Sequence, residues 1–226
     1  MEYLLPKIYE TFKSRNKDFP KRKTRPVIES RFIQCANRIV GGDYGISEEN
    51  KHCLDIIMDY MLGIEGEIDL SKGIALYGDF GPGKSIMMEA FNETLKTSQI
   101  SASNSFMVTS VEAIISDASK DGYLDCGSLL NTSDTVTGGV IKNPRHVLIN
   151  EFGYTYTGKS YGTSVEEKVE VFLMKRYEIF QRYKKVTHIT TNFTPNQLDE
   201  MYKGRLSDRF AEMFHFVKLE GKSKRK

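Results

Sequence analysis

Short apolar runs of β-like composition alternate with helical patterns through most of this chain. Five runs stand out: Ile74 to Tyr77, Ser105 to Thr109, His146 to Asn150, Val186 to Thr191 and Phe214 to Leu219. Strands that alternate with helices predict a parallel sheet covered on both faces, so the expected fold is a three-layer α/β domain around a five-stranded parallel sheet. Ser47 is a suitable N-cap for a helix that turns Leu54, Ile57, Tyr60 and Met61 toward one face and closes at Gly63. A second helix, with Met87, Ala90, Phe91 and Leu95 on one side, follows the first strand. A longer one opens at Ser164, with Glu167 as capping-box partner. Its predicted buried side is Val165, Val169, Phe172, Leu173 and Phe180, and its solvated side Glu166, Lys168, Glu170, Lys175 and Arg182. Thr194-Pro195 starts another helix, with Gln197 as capping partner, that ends near Gly204. Upstream, Pro6, Pro20, Pro26 and the Gly41-Gly42 pair predict only short helical pieces. Residues 1–45 therefore read as an N-terminal extension, a candidate partner-binding segment, and residues 46–226 as the main domain.

Length and charge narrow the class. A chain of 226 residues suits one substantial domain with a smaller appendage. No run approaches the roughly 18 consecutive apolar residues that mark a membrane span. The start, Met1-Glu2-Tyr3-Leu4-Leu5-Pro6, lacks the basic-then-apolar pattern of a secretory signal. The expectation is a cytoplasmic protein with no membrane partner. Cys35, Cys53 and Cys126 are odd in number, widely spaced and never paired as C-x-x-C, which argues against a disulfide framework and a zinc site. The formal charge of +2 conceals two basic clusters, Lys13 to Arg25 and Lys218 to Lys226. Each suits either phosphate contact or a solvated arm and tail.

The clearest chemical signal is Gly78-Asp79-Phe80-Gly81-Pro82-Gly83-Lys84-Ser85, a complete Walker A loop between an apolar strand and a helix. Its glycines let successive backbone N–H groups turn toward a phosphate, and the following helix points its positive end at the same place. Lys84 is placed to reach the β- and γ-phosphates of ATP, Ser85 to offer its hydroxyl to Mg²⁺, and Ile86 to complete the binding segment. Hydrolysis needs an acidic residue at the tip of another strand, and His146 to Glu151 supplies it. Glu151 is the predicted catalytic base. Asn150 stands before it as a candidate in the Mg²⁺ shell, but a neutral amide is a poorer partner for a dication than a carboxylate, so hydrolysis is expected to be slow. The separation of Lys84 from Glu151 leaves room for a helix, a strand and another helix, which predicts that these two strands are not adjacent. Asn192, after the Val186 to Thr191 strand, is placed to contact the γ-phosphate or the attacking water. Arg205 and Arg209 share a helix face, where one of them can act as an arginine finger on a neighbouring subunit's phosphate or form an ordinary ion pair with Asp208 or Glu212.

In this order the pieces resemble the DnaC/IstB group of AAA+ ATPases, which includes bacterial and phage helicase loaders and the helper ATPases of some transposons. The likeness covers roughly Ile74 to Arg225. It rests on Gly78 to Ser85, on Val147 to Gly153, on Thr191-Asn192, on Arg205 to Phe210, and on Gly221-Lys222-Ser223-Lys224-Arg225, similar to a Gly-x-Ser-x-Arg ending. The resemblance implies an AAA+ P-loop domain with Lys84 and Ser85 on nucleotide and Mg²⁺ and Glu151 as base. It further implies Asn192 as sensor 1, Arg209 as the finger with Arg205 second, and no C-terminal lid domain. It also implies ATP-promoted self-association, a replicative helicase as partner, and contact with single-stranded DNA. For that contact, Val111 to Tyr123 carries Glu112, Asp117 and Asp121 and no basic excess, so the Gly- and Tyr-rich stretch Gly153 to Gly162 is the better candidate. The leading function is a helicase loader in DNA replication. The alternatives are a transposition helper of the IstB kind, a nucleotide-dependent adapter that does not hydrolyse ATP, and a small-molecule kinase, which lacks a recognisable substrate segment.

Overall fold

A computed structural model describes residues 21–64, 66–79, 81, 83–98, 104–120, 144–153, 159–160, 163–202 and 204–221. Phe80, Pro82, Cys126, the residues before Lys21 and those after Gly221 lie outside the described residues. So does most of the Gly- and Tyr-rich stretch. The chain divides into two compact units, one of residues 1–71, 79–105 and 217–226, the other of residues 72–78 and 106–216.

The first unit is helical. α1 (Lys21–Val40) packs along α3 (Lys84–Thr97), and α2 (Glu48–Leu62) packs against both. The sequence predicts a break at Pro26, yet α1 runs through it. Proline removes one hydrogen bond here, close to the helix start and on the exposed side. Ile28, Phe32, Cys35 and Ala36, spaced to share one stripe, are all buried and outweigh that loss. Arg25 joins α1 to α2 through Asp59 and, at 2.6 Å, Asp55. Ser47 and Gly63 bound α2 as predicted: Ser47 N–H donates to Asn50 Oδ1 at 2.8 Å, and Gly63 adopts a left-handed conformation. The predicted apolar side of α3, Met87, Ala90, Phe91 and Leu95, is buried.

The second unit contains the five-stranded sheet, in the order β2-β3-β6-β1-β7, apart from the last two residues of β7. The strands are β1 (Gly73–Tyr77), β2 (Phe106–Ser110), β3 (His146–Phe152), β6 (Thr187–Thr191) and β7 (Phe214–Lys218), each within a residue or two of its predicted position. The pairings of β2 with β3, β3 with β6 and β6 with β1 are parallel. As the spacing predicts, β1 and β3 are not adjacent, because β6 lies between them. A separate antiparallel pair joins β4 (Lys159–Ser160) to β5 (Thr163–Ser164), so Ser164 both precedes the next helix and pairs with Lys159.

The helices of this unit are α4 (Val111–Lys120), α5 (Val165–Tyr183), α6 (Pro195–Met201) and α7 (Arg205–Met213). Ala75, Val147, Ile149 and Ile189 from the sheet meet Val169, Phe172, Leu173 and Phe210 from the helices in one apolar core. The solvated side predicted for α5 holds at Glu170 and Arg182, but Lys168 is buried. It lies four residues before Phe172 and so falls on the buried stripe, which continues through Arg176. Arg176 is fully buried: its Nε donates to Thr187 Oγ1 at 2.9 Å and its Nη2 to Val186 O at 3.0 Å. Among the described residues no helix is long and apolar enough to cross a membrane.

Candidate functional site

In a parallel α/β sheet ligands bind beyond the carboxyl ends of the strands, and the register identifies what stands there. Tyr77 of β1 pairs with Thr191 of β6, and Thr191 also pairs with Phe152 of β3. Gly78, Asn192 and the Asn150-Glu151 pair therefore share one edge of the sheet.

β3 does not reach that edge in regular register. Ile149 opposes Ile189 and Phe152 opposes Thr191, so three steps along β3 match two along β6. The extra residue is a β-bulge, with Asn150 and Glu151 both facing Thr190. Side chains alternate along a strand, and Val147 and Ile149 point into the apolar core. Regular alternation would send Glu151 there too. The bulge puts Phe152 into the core, 1% exposed, and leaves Glu151 exposed. Glu151 has φ 55°, in the left-handed region that residues with a side chain rarely adopt. Two hydrogen bonds converge on the Thr190 hydroxyl at this point. Glu151 N–H donates to Thr190 Oγ1 at 3.0 Å, and Thr190 Oγ1 donates to Asn150 Oδ1 at 3.1 Å.

Past Gly78 the chain enters the first unit. Gly81 and Gly83 both have φ 94°, and a Cβ at Gly83 would meet nothing within 4 Å, so the loop backbone stands open where α3 begins. Lys84, the first residue of α3, is 8% exposed, and its Nζ donates to Asp79 O at 2.6 Å across the loop. Ser85 and Ile86 are half-buried and Asp79 is exposed. A lysine head and an open glycine backbone at the positive end of a long helix are a donor set suited to a polyphosphate.

Arg209 lies on α7, away from the strand ends in sequence, and Arg205 opens the same helix. The Arg209 guanidinium is 4.7 Å from the centre of the Tyr177 ring, and Nη1 is 2.8 Å from Glu212 Oε1. Glu212 Oε2 also accepts from Tyr177 Oη at 2.7 Å and from Gln181 Nε2 at 3.3 Å. Of the two partners expected for this arginine, Glu212 is therefore in place. Sequence reasoning misses Tyr177 and Thr190. Tyr177 is on another helix, and Thr190 sits in a β-branched run that reads only as strand propensity.

No protein-family model matches this sequence, and no curated protein does. Solved structures do match. The DnaC helicase loader superposes with a TM-score of 0.55 at 16% identity, over 78% of this chain and 93% of that one. Domain III of the Thermotoga maritima replication initiation protein DnaA gives 0.53 at 18% identity, over 78% of this chain and 65% of the other. AMPPCP-bound DnaA from Aquifex aeolicus gives 0.52 at 15% identity over 78% of this chain, which spans 48% of that protein. Such identities speak for the backbone arrangement alone. The chain has a three-layer α/β P-loop fold, similar to that of DnaC and of DnaA.

Proposed function

We propose that this protein binds ATP with Mg²⁺ at its P-loop, hydrolyses it slowly, and acts in DNA replication as a loader of a replicative helicase. The observation that carries this reading is the carboxyl edge of the sheet. There Gly78 at the mouth of the P-loop, the Asn150-Glu151 bulge and Asn192 occur on neighbouring strands. Similarity of fold to the DnaC helicase loader favours this among nucleotide-driven roles.

In this reading Lys84 and the loop N–H groups hold the phosphates and Ser85 offers its hydroxyl to Mg²⁺. ATP supplies the phosphoanhydride that is cleaved. Glu151 takes the proton of the attacking water, and Asn192 orients that water or the γ-phosphate by hydrogen bonding. Arg209 of a neighbouring copy, with Arg205 as second choice, neutralises transition-state charge, which makes self-association ATP-dependent. Among the described residues no group of three His, Cys, Asp or Glu side chains is placed to hold a metal by itself. In this reading the protein's share of the Mg²⁺ shell is Ser85 with the neutral Asn150, and an amide in place of a carboxylate is the reason to expect slow turnover. Single-stranded DNA is the proposed nucleic-acid partner.

The test compares wild type with Lys84→Ala and Glu151→Gln in Mg²⁺ and ATP. Lys84→Ala is expected to lose AMPPCP binding, and Glu151→Gln to keep it and lose turnover. The replicative helicase is expected to co-purify with wild type and not with Lys84→Ala. Recovery of a transposase instead favours a transposition helper. Helicase recovery without wild-type turnover favours the non-hydrolysing adapter, which the neutral Asn150 also suits.

A further inference from the structure

We propose that Thr190 is the positioning residue of the hydrolytic site, its hydroxyl fixing the bulge that turns the Glu151 carboxylate out of the core. The inference deepens the ATPase reading and rests on Glu151 being the base.

Parity is the starting point. In an unbulged β3 the residue after Asn150 would share the face of Val147 and Ile149, and a carboxylate would enter the apolar core. One extra residue reverses that parity, but it leaves Glu151 N–H without a ladder partner and Glu151 itself at φ 55°. Such a conformation persists only where surrounding groups hold it. Thr190 stands opposite the bulge, is 1% exposed, and serves both bulged residues through one oxygen. It accepts from Glu151 N–H at 3.0 Å and donates to the Asn150 side chain at 3.1 Å. A valine there has the same shape and neither bond.

Thr190→Val and Thr190→Ser test this beside Glu151→Gln, in the full-length protein. A displaced catalytic group can lower turnover by about 100-fold. That loss of kcat is expected in Thr190→Val, with AMPPCP affinity unchanged and most of the turnover restored in Thr190→Ser. A second readout is independent of activity: the Glu151 amide, protected from hydrogen exchange in wild type and Thr190→Ser, should exchange faster in Thr190→Val. If Thr190→Val keeps its kcat or its Glu151 amide protection, or loses AMPPCP affinity in parallel with kcat, the inference fails while the base assignment stands. If Glu151→Gln turns over like wild type, the base assignment itself fails.

Discussion

An arginine that is to meet a phosphate on a neighbouring copy must reach solvent and point in a settled direction. Arg209 satisfies both, with its side chain 36% exposed, its head over the Tyr177 ring and Nη1 against Glu212. An exposed ion pair contributes about 0–1 kcal/mol. An exposed cation–π contact adds about 0.5–1 kcal/mol. Neither holds the guanidinium strongly enough to prevent transfer to a phosphate, which offers a bidentate, charge-assisted partner. Arg209→Ala is therefore expected to abolish ATP-dependent self-association, measured by sedimentation with and without nucleotide. Arg209→Lys is expected not to restore it, since an ammonium lacks the planar fork. Unchanged self-association in Arg209→Ala would leave the arginine with its Glu212 pairing alone. The arginine is legible in the sequence because its spacing from Arg205 is local. Its partner on α5 is not, because Tyr177 approaches only once two helices have packed.

At the scale of elements, local signals carry far. The predicted Thr194-Gln197 capping box is formed, with Gln197 N–H on Thr194 Oγ1 at 3.3 Å and Thr194 N–H on Gln197 Oε1 at 2.8 Å. Losing an N-cap threonine costs about 1 kcal/mol, so Thr194→Ala should lower the urea midpoint by that amount of stability without altering the m-value. The end of β3 is a different case. Gly153 has φ 91°, and a Cβ there would come within 2.7 Å of the Phe193 ring. Gly153→Ala meets both backbone strain and a clash with the residue after Asn192. A loss of about 1–3 kcal/mol, read by chemical denaturation, is expected. A glycine after Glu151-Phe152 reads in sequence as the end of a strand. That it must be glycine follows only from where β6 places Phe193.

For the whole molecule, the amino ends of the strands hold a buried polar group that titrates. His188 Nδ1 accepts from Ile74 N–H at 3.0 Å, and His146 Nδ1 accepts from Val186 N–H at 3.1 Å. Burial, with the Arg176 charge adding to it, pushes His188 down to about 3. Burial holds His146 well below the ordinary histidine range, helped by Lys185, His188 and Arg176. Protonation would both charge a buried ring and remove the acceptor it offers to the backbone. Below about pH 6.5 the unfolded chain takes up protons that the folded chain refuses, so stability falls as pH falls from there toward the folded value. His188 alone contributes a slope of up to about 1.4 kcal/mol per pH unit in that window. Denaturation across the window should show this slope in wild type and a shallower one in His188→Gln. A wild type with flat stability between neutral and mildly acidic pH would contradict it.

The sequence alone determined the P-loop, the five strands, the separation of β1 from β3 and the caps of α2 and α6. Each depends on residues near one another in the chain, through periodicity, turn chemistry or backbone capping. The tertiary structure alone decided that α1 continues through Pro26, that Lys168 and Arg176 are buried, and that Glu151 leaves the core by way of a bulge at Thr190. In these cases one short-range preference, for a break, for solvent or for regular alternation, is overruled by groups distant in sequence. Burial of an apolar stripe, or a hydroxyl from the adjacent strand, comes into being only when the elements have packed.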